Sequence, residues 1–458
     1  MKMTKTTLLL SVPILLGLTL SGCIDMGGGG GGGSGKDSET INIAIVSDNV
    51  EYDTMNTFIA AYKKISGNEN KKFKVVRADY ADYIYNSFMY NELADIIQVF
   101  DYNCEYYTNV PQNKNGDTLL QSISSYMQRD GISESVFFDS VVEMTKCKNG
   151  SNEMYWVPRD YNKVVCAYNK GIFDAAGLQD HYPTDNWTWS DFVATCELLK
   201  SKESEITAYT KSTTFYPVDL NMNFPAVYYP LLKSYGVELI DKTTEKCFGD
   251  KIDTAKTAWA KLLSMMDNGL ANNKADKKPF TSKQAAMMFM VRPNLPSYYK
   301  GLGDVIDFVS LPTYEDLPEG ATSYIGMGCS GYGMTTACPD GKKEAVWDFL
   351  KFIISTDGQN AFSESGSGIP SLKALATDAN AAFKKYRVTD SYHPNHDAFI
   401  AHAERDIPMN FLSGFKVDKQ ITIDKYIKDR TLEQFYKHAD DRDQYFIDYK
   451  NGMENIWK

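Results

Sequence analysis

The feature that most limits what this chain can become is an alternation of short apolar strands with amphipathic helical stretches. INIAIV, Ile41 to Val46, puts Ile41, Ile43 and Ile45 on alternate positions, flanked by Ala44 and Val46. Such a run reads as a largely buried strand. SDN breaks it, and Phe58, Ile59, Tyr62 and Ile65 then recur at helical spacing. FKVVRA is a second strand and ADIIQVF, Ala94 to Phe100, a third. Strands separated by helices argue for parallel βαβ units and an α/β fold, with a mixed α+β domain as the alternative. Further along, Thr188 and Asp191 form a capping-box pattern ahead of a stripe of Phe192, Val193, Cys196 and Leu199. Ala345, Val346, Phe349, Leu350 and Ile353 make a second stripe. Thr431 and Gln434 cap a helix with Leu432, Phe435 and Tyr436, and a last segment holds Tyr445, Phe446, Tyr449, Met453 and Trp457.

The first residues speak for export. Lys2 and Lys5 precede LLLSVPILLGLTL, an apolar run of 13 residues, and LSGC then ends at Cys23. This is the pattern of a signal peptide over residues 1–22, too short for an ordinary membrane span. Small residues before a cysteine look like a bacterial lipobox, which implies that Cys23 becomes a lipidated first residue. The glycine run Gly27 to Gly35, interrupted by Ser34, lies in a flexible tether, residues 23–39. The remaining length exceeds what one core usually organises, so two domains are expected. The formal charge of −11, less the two positive charges Lys2 and Lys5, gives −13 after the leader. That balance disfavours nucleic acid and anionic membrane surfaces as partners. Seven cysteines besides Cys23 stand at irregular spacings without a CxxC, so no disulfide framework is implied.

One stretch carries more. YWVPRDYNKVVCAYNKGIFDAAGL is followed by WTWSDF. Pro158, a polar run, an apolar strand, Tyr168-Asn169-Lys170, Phe173, Ala176-Gly177-Leu178 and Thr188-Trp189-Ser190-Asp191-Phe192 come in this order. Downstream are FTSKQAAMMF, DFVSLP, GMGCSGYGMTT and AVWDFLKFIISTDGQNAFSESGSGIPSLKAL. In this order the segments resemble family 1 extracellular solute-binding proteins of the maltose-binding type, the receptor subunits of ABC importers, chiefly for carbohydrates. The resemblance covers nearly all of residues 40–458. Two positions depart from the family's pattern. MVRPNLPSYYK stands where a sugar-stacking Trp is common, and Asn162 stands where an acidic ligand residue occurs.

The resemblance implies an α/β periplasmic-binding-protein-like fold of type II: two lobes, three hinge crossings and a ligand cleft between the lobes. Lobe one would comprise residues 40–160 and 313–358, and lobe two residues 161–312 and 359–458. Open α/β sheets bind ligands outside the carboxyl ends of their strands. The strand-end candidates are Asp48, Asn49, Phe100, Asp101 and Tyr102. Asp160, Tyr161 and Asn162 lie at the first crossing, Asn223 and Tyr228 in lobe two, Arg292 near the missing Trp, and Gly326 and Ser330 on the return strand. Carboxylates and amides beside aromatic rings suit a sugar, with its hydroxyl edge and apolar face. The expected partners are a small-molecule solute, an ABC permease, and a membrane through lipid on Cys23; a monomer without nucleic acid, cofactor or catalytic residues is expected.

Rivals stay open at this point. The fold accommodates peptide, polyol, uronate or phosphorylated ligands equally. A metal receptor would use His393, His396 and His402, but Pro394 separates the first two and no HxH occurs. An exported glycosidase would need a carboxylate pair, and no local motif singles one out.

Overall fold

The computed structural model describes residues 39–457, apart from residues 79, 91, 110–115, 149, 242, 275–277, 410–414 and 416. The expected leader, the lipid site at Cys23 and the glycine tether lie outside the described residues. In chain order the strands are β1 (Thr40–Val46), β2 (Lys72–Ala78), β3 (Ile96–Phe100), β4 (Val157–Pro158), β5 (Asn162–Lys163), β6 (Val165–Asn169) and β7 (Tyr216–Asp219). They continue with β8 (Ile240–Asp241), β9 (Lys246–Cys247), β10 (Ala285–Met290), β11 (Ile306–Val309), β12 (Ile325–Gly328), β13 (Ser330–Met334) and β14 (Asp406–Pro408).

Lobe one is built on a five-stranded sheet in the order β2-β1-β3-β13-β4. β1 pairs parallel with β2 and β3, whereas β13 runs antiparallel between β3 and β4. The central strands β1 and β3 are apolar on both faces because helices cover both. β2, at the edge, exposes Lys72, Lys74 and Arg77, which blunts pairing with another chain. The helices Asn49–Tyr62, Asp340–Ile353 and Thr356–Ser363 pack together on this sheet, with Val346, Phe349, Leu350 and Ile353 buried as their spacing predicts.

Lobe two is built on a four-stranded sheet in the order β11-β6-β10-β7. Its strands divide their side chains by parity. Val165 and Ala167 of β6, with Met288 and Met290 of β10, join one buried cluster; Cys166 and Tyr168, with Met287 and Phe289, join the other. The capping box at Thr188 forms: Thr188 Oγ1 accepts from the Asp191 N–H, and the Asp191 carboxylate accepts from the Thr188 N–H. Thr431, by contrast, makes no side-chain cap to its helix Leu432–Lys437. The carboxyl-terminal helices bring Phe435, Phe446 and Tyr449 onto Trp259 and, with Ile423, complete the second cluster.

A three-stranded sheet, β14-β12-β5, joins the lobes, with one strand from each passage of the chain. Lys163 is fully buried there, its ammonium 3.1 Å from Asp406 and donating to the Ala401 carbonyl. The recrossing differs from the expectation at Pro312. Thr313 still bonds Trp187, Tyr314 packs on Trp189, and Asp316 accepts from Tyr235, so this segment rides on lobe two; the chain enters the lobe-one sheet only at Ser330. After Gly358 the helix Thr356–Ser363 stays in lobe one, where Phe362 stacks on Phe58. Side-chain contacts between distant segments set both boundaries, and local sequence does not display them.

Candidate ligand-binding cleft

On the lobe-one side, β3 runs without a break into the helix Asp101–Asn109. Asn103 closes the junction by accepting from the Phe100 N–H at 3.1 Å. This sharp entry stacks the Phe100 and Tyr102 rings, with centroids 5.4 Å apart and planes 10° from parallel. Tyr102 remains 47% exposed, so one face of the stack is available. Asp101 Oδ1 accepts from the Tyr102 N–H at 2.9 Å, but Oδ2 is shielded from solvent and has no hydrogen-bond partner. Burial pushes the Asp101 carboxyl up to about 7, and the negative charge of Asp160 works in the same direction. Across from it, Gly328 of β12 pairs with Asn162 of β5. A Cβ on Gly328 would stand 3.5 Å from Asp101 Oδ2, so the missing side chain leaves the carboxylate unobstructed. The Asn162 side-chain oxygen is also buried without a partner.

Beneath these orphaned acceptors lies a network centred on Arg159, whose Nη atoms are engaged while its Nε is buried without a partner. Its guanidinium donates to Glu51, to Asp160 at 3.0 Å and to the Ser330 hydroxyl at 2.6 Å. Burial works against the charge, yet Glu51 and Asp160 hold Arg159 well above the ordinary arginine value. Gln98 links Glu51 to the sheet, donating to its carboxylate at 2.7 Å and accepting from the Val46 N–H at 3.1 Å. Asp160 Oδ1 accepts from the Ser330 N–H at 2.9 Å. A buried arginine shared by two acids is rigid and costly to disturb.

The lobe-two side is different. β6 leaves the hinge strand β5 and runs antiparallel to β10, with Val165 opposite Met290. β7 runs parallel to β10, with Asp219 opposite Met288. The carboxyl ends of β7 and β10 therefore face the hinge. A cavity of 430 Å³ opens there, lined by Asp219, Asn221, Asn223, Asn272, Asn294 and Tyr298 among others. Burial pushes Asp219 up to about 6, although the Asn221 N–H donates to it. Burial raises the Tyr102 and Tyr228 hydroxyls, and the charge of Asp424, on the helix Val417–Lys428, works in the same direction on both.

The candidates from sequence separate into those that converge and those that are engaged elsewhere. Phe100, Asp101, Tyr102, Asp160, Asn162 and Ser330 converge on the lobe-one floor and hinge, and Asn223 lines the lobe-two cavity. Asp48 caps the helix Asn49–Tyr62, accepting from the Val50 and Glu51 N–H groups, and Asn49 accepts from Arg77. Tyr161 is fully buried, stacked on Phe138 at 4.2 Å with its hydroxyl donated to Asp406. Tyr228 is packed edge-on against Trp259. Arg292 lies inside the protein between Phe383 and Phe399, its Nη atoms on His396 and the Phe383 carbonyl. Gly326 is a packing glycine: a Cβ would come 2.3 Å from the Ala226 carbonyl oxygen. Arg159, Glu51, Gln98, Gly328, Asp219 and Asp424 were missed. Only Arg159 carried a signal, a charge next to Asp160 at the mouth of an apolar run.

His396 is engaged as well, stacked on Phe308 with its ring nitrogens at Arg292 and the Tyr386 carbonyl. Among the described residues no group of three or more His, Cys, Asp or Glu side chains is placed to hold a metal ion. None of the described helices is long and apolar enough to cross a membrane.

Comparison with known proteins now bears on this geometry. The family model of the bacterial extracellular solute-binding proteins matches residues 106–387. A search of curated proteins finds no match. Solved structures resemble the whole fold. The ABC substrate-binding protein Lmo0181 from Listeria monocytogenes, in complex with cycloalternan, superposes with a TM-score of 0.67 at 16% identity, covering 91% of this chain and 98% of that one. The cyclic alpha-maltosyl-1,6-maltose binding protein from Arthrobacter globiformis gives 0.67 at 14% identity, with 91% and 98% covered. The sugar-binding protein MalE from Xanthomonas citri gives 0.66 at 14%, with 91% and 97% covered. These likenesses establish the two-lobe fold with its cleft.

Proposed function

We propose that this chain, which belongs to the bacterial extracellular solute-binding proteins, captures a carbohydrate in the cleft between its lobes and delivers it to an ABC importer. The observation that carries the reading is the pair of buried, unpartnered acceptors, Asp101 Oδ2 and Asn162 Oδ1, beside the half-exposed Phe100–Tyr102 stack. Buried acceptors without donors are costly, and sugar hydroxyls supply donors. An aromatic face beside them suits the apolar side of a pyranose. The amide-rich lobe-two cavity offers donors and acceptors to the remaining hydroxyls. That the named structural neighbours are a substrate-binding protein in complex with cycloalternan, a cyclic alpha-maltosyl-1,6-maltose binding protein and a sugar-binding protein agrees with this.

The mechanism needs no reacting group. An open cleft exposes the lobe-one floor; a solute lying on it presents its far edge to lobe two, and the two lobes close only when both edges are engaged. Micromolar capture corresponds to about 8 kcal/mol net of closure. Lipid on Cys23 would keep the body beside its permease. Arg292, a cation that could have met an acidic ligand, has its Nη atoms spent inside the protein.

A thermal-shift screen of residues 36–458 tests the reading against mono- and oligosaccharides, uronates, amino acids and zinc. A sugar is expected to raise the midpoint with concentration and to be recovered unchanged. Shifts with amino acids or metal alone would overturn it.

A further inference from the structure

Of the eight cysteines, Cys104 and Cys147 meet as a disulfide, 43 residues apart in sequence with Cα atoms 5.8 Å apart. The other described cysteines, Cys166, Cys196, Cys247, Cys329 and Cys338, are free and buried. The pair's place in the fold is specific. Cys104 lies one turn into the helix Asp101–Asn109, whose first two residues are the orphaned carboxylate and the exposed ring of the cleft. Cys147 follows the helix Asp139–Thr145. At the far end of the site helix Asn109 donates to the Cys147 carbonyl at 2.9 Å, so the helix is held to this neighbour at two points. Trp156, fully buried just ahead of β4, donates its indole N–H to Cys104 Sγ at 3.0 Å. At the other end of the neighbouring helix, Phe138 stacks on Tyr161, which bonds the hinge strand β14 through Asp406.

We propose that the Cys104–Cys147 disulfide is a positioning device for ligand capture: it fixes the first turn of the site helix against the hinge, so that Asp101 and Tyr102 meet the ligand in one arrangement. This rests on the cleft reading above. A free helix of nine residues would be marginal on its own and owes its position to such anchors. Opening the bond with a dithiol such as dithiothreitol transfers two electrons and two protons to Cys104 and Cys147, giving two thiols, while the reagent closes to its cyclic disulfide.

The test uses the whole folded domain in oxidised and reduced forms, which avoids any variant that fails to fold. Iodoacetamide under native and denaturing conditions, read by mass spectrometry, is expected to leave Cys104 and Cys147 unlabelled until reduction. Reduction is expected to speed amide exchange in residues 101–109 by more than about tenfold, with Asp340–Ile353 unchanged. With maltotetraose as the probe, reduction is expected to raise Kd about tenfold at 20 °C, far below the unfolding midpoint. Trp187→Phe, a packing change in lobe two, serves as a control of comparable loss in midpoint and is expected to leave Kd within about twofold. Labelling of both thiols before reduction, exchange that spreads evenly over lobe one, or a Kd change no larger than the control's would each overturn the proposal. If maltotetraose binds neither form, the sugar reading fails for this probe, and labelling and exchange still decide the staple.

Discussion

The two walls of the cleft solve the same problem by opposite means. The lobe-one floor is ionic and closely knit: Arg159 is shared by Glu51 and Asp160, Gln98 holds Glu51, and Ser330 holds both Arg159 and Asp160, with Arg159 Nε left unpaired. Beside it Asp101 Oδ2 and Asn162 Oδ1 are left without partners, and the proposed ligand place rests on these two. The proposed lobe-two wall is a cavity rich in amides around one carboxyl, Asp219, and each amide side chain carries both a donor and an acceptor. A rigid floor and an adaptable wall suit a receptor in which one lobe orients the solute and the other closes on it. A fully ionic cleft would resist closing through desolvation, and a fully amide one would orient poorly.

Cutting each wall sharpens the contrast. The largest effect is expected from Arg159→Ala, which strands Glu51 and Asp160 as buried acids and costs about 3–5 kcal/mol of stability, read from guanidinium unfolding. An unchanged midpoint would mean that the floor is not a unit. Next comes Asp101→Asn, expected to weaken sugar binding by about ten- to hundredfold in calorimetry at pH 8, where the folded carboxyl has lost its proton and accepts as an anion. The same variant carries a stability sign. Asp101 titrates near 3.8 unfolded and at about 7 folded, so the folded state holds the extra proton between those values and stability falls as pH rises through that window. Asp101→Asn removes this fall, so its melting temperature at pH 8 is expected above that of the parent. Lower stability at pH 8 would refute the orphaned-carboxylate picture. On the acid side His396, depressed to about 3 by burial and Arg292, works the other way: stability is lost as pH falls from 6.5 toward 3.

Tyr102→Ala is expected to cost about 1 kcal/mol of binding, roughly fivefold, by removing the exposed half of the stack. The smallest effect is expected on the adaptable wall, where Asn223→Ala costs about 0.5–1 kcal/mol because neighbouring amides take over its bonds. Should Asn223→Ala exceed Asp101→Asn, the assignment of rigid and adaptable sides is reversed.

Much of the fold was legible in the chain because it rests on local pattern. The alternation around Ile41–Val46, the capping box at Thr188 and the stripe Val346–Ile353 each need only neighbours within a few residues, and the family motifs supplied the order of the pieces. Asp160 bonds the Ser330 N–H at the start of β13 and Asn162 pairs with Gly328 of β12, both next to the strands that join the lobes. Tyr161, in the same run, points instead into the core, because neighbouring side chains leave an extended segment on opposite sides.

The sequence by itself determined the α/β character, and its resemblance to a known family supplied the two-lobe fold. Tertiary structure decided which of the polar side chains remain unpaired. Asp48, Tyr161 and Arg292 look as suitable as Asp101 in sequence, but Asp48 Oδ1, the Tyr161 hydroxyl and the Arg292 Nη atoms are engaged, whereas Asp101 Oδ2 is not. Hydrogen-bond satisfaction is a sum over every neighbour in space, and those neighbours come from segments as far apart as Glu51, Arg159 and Ser330.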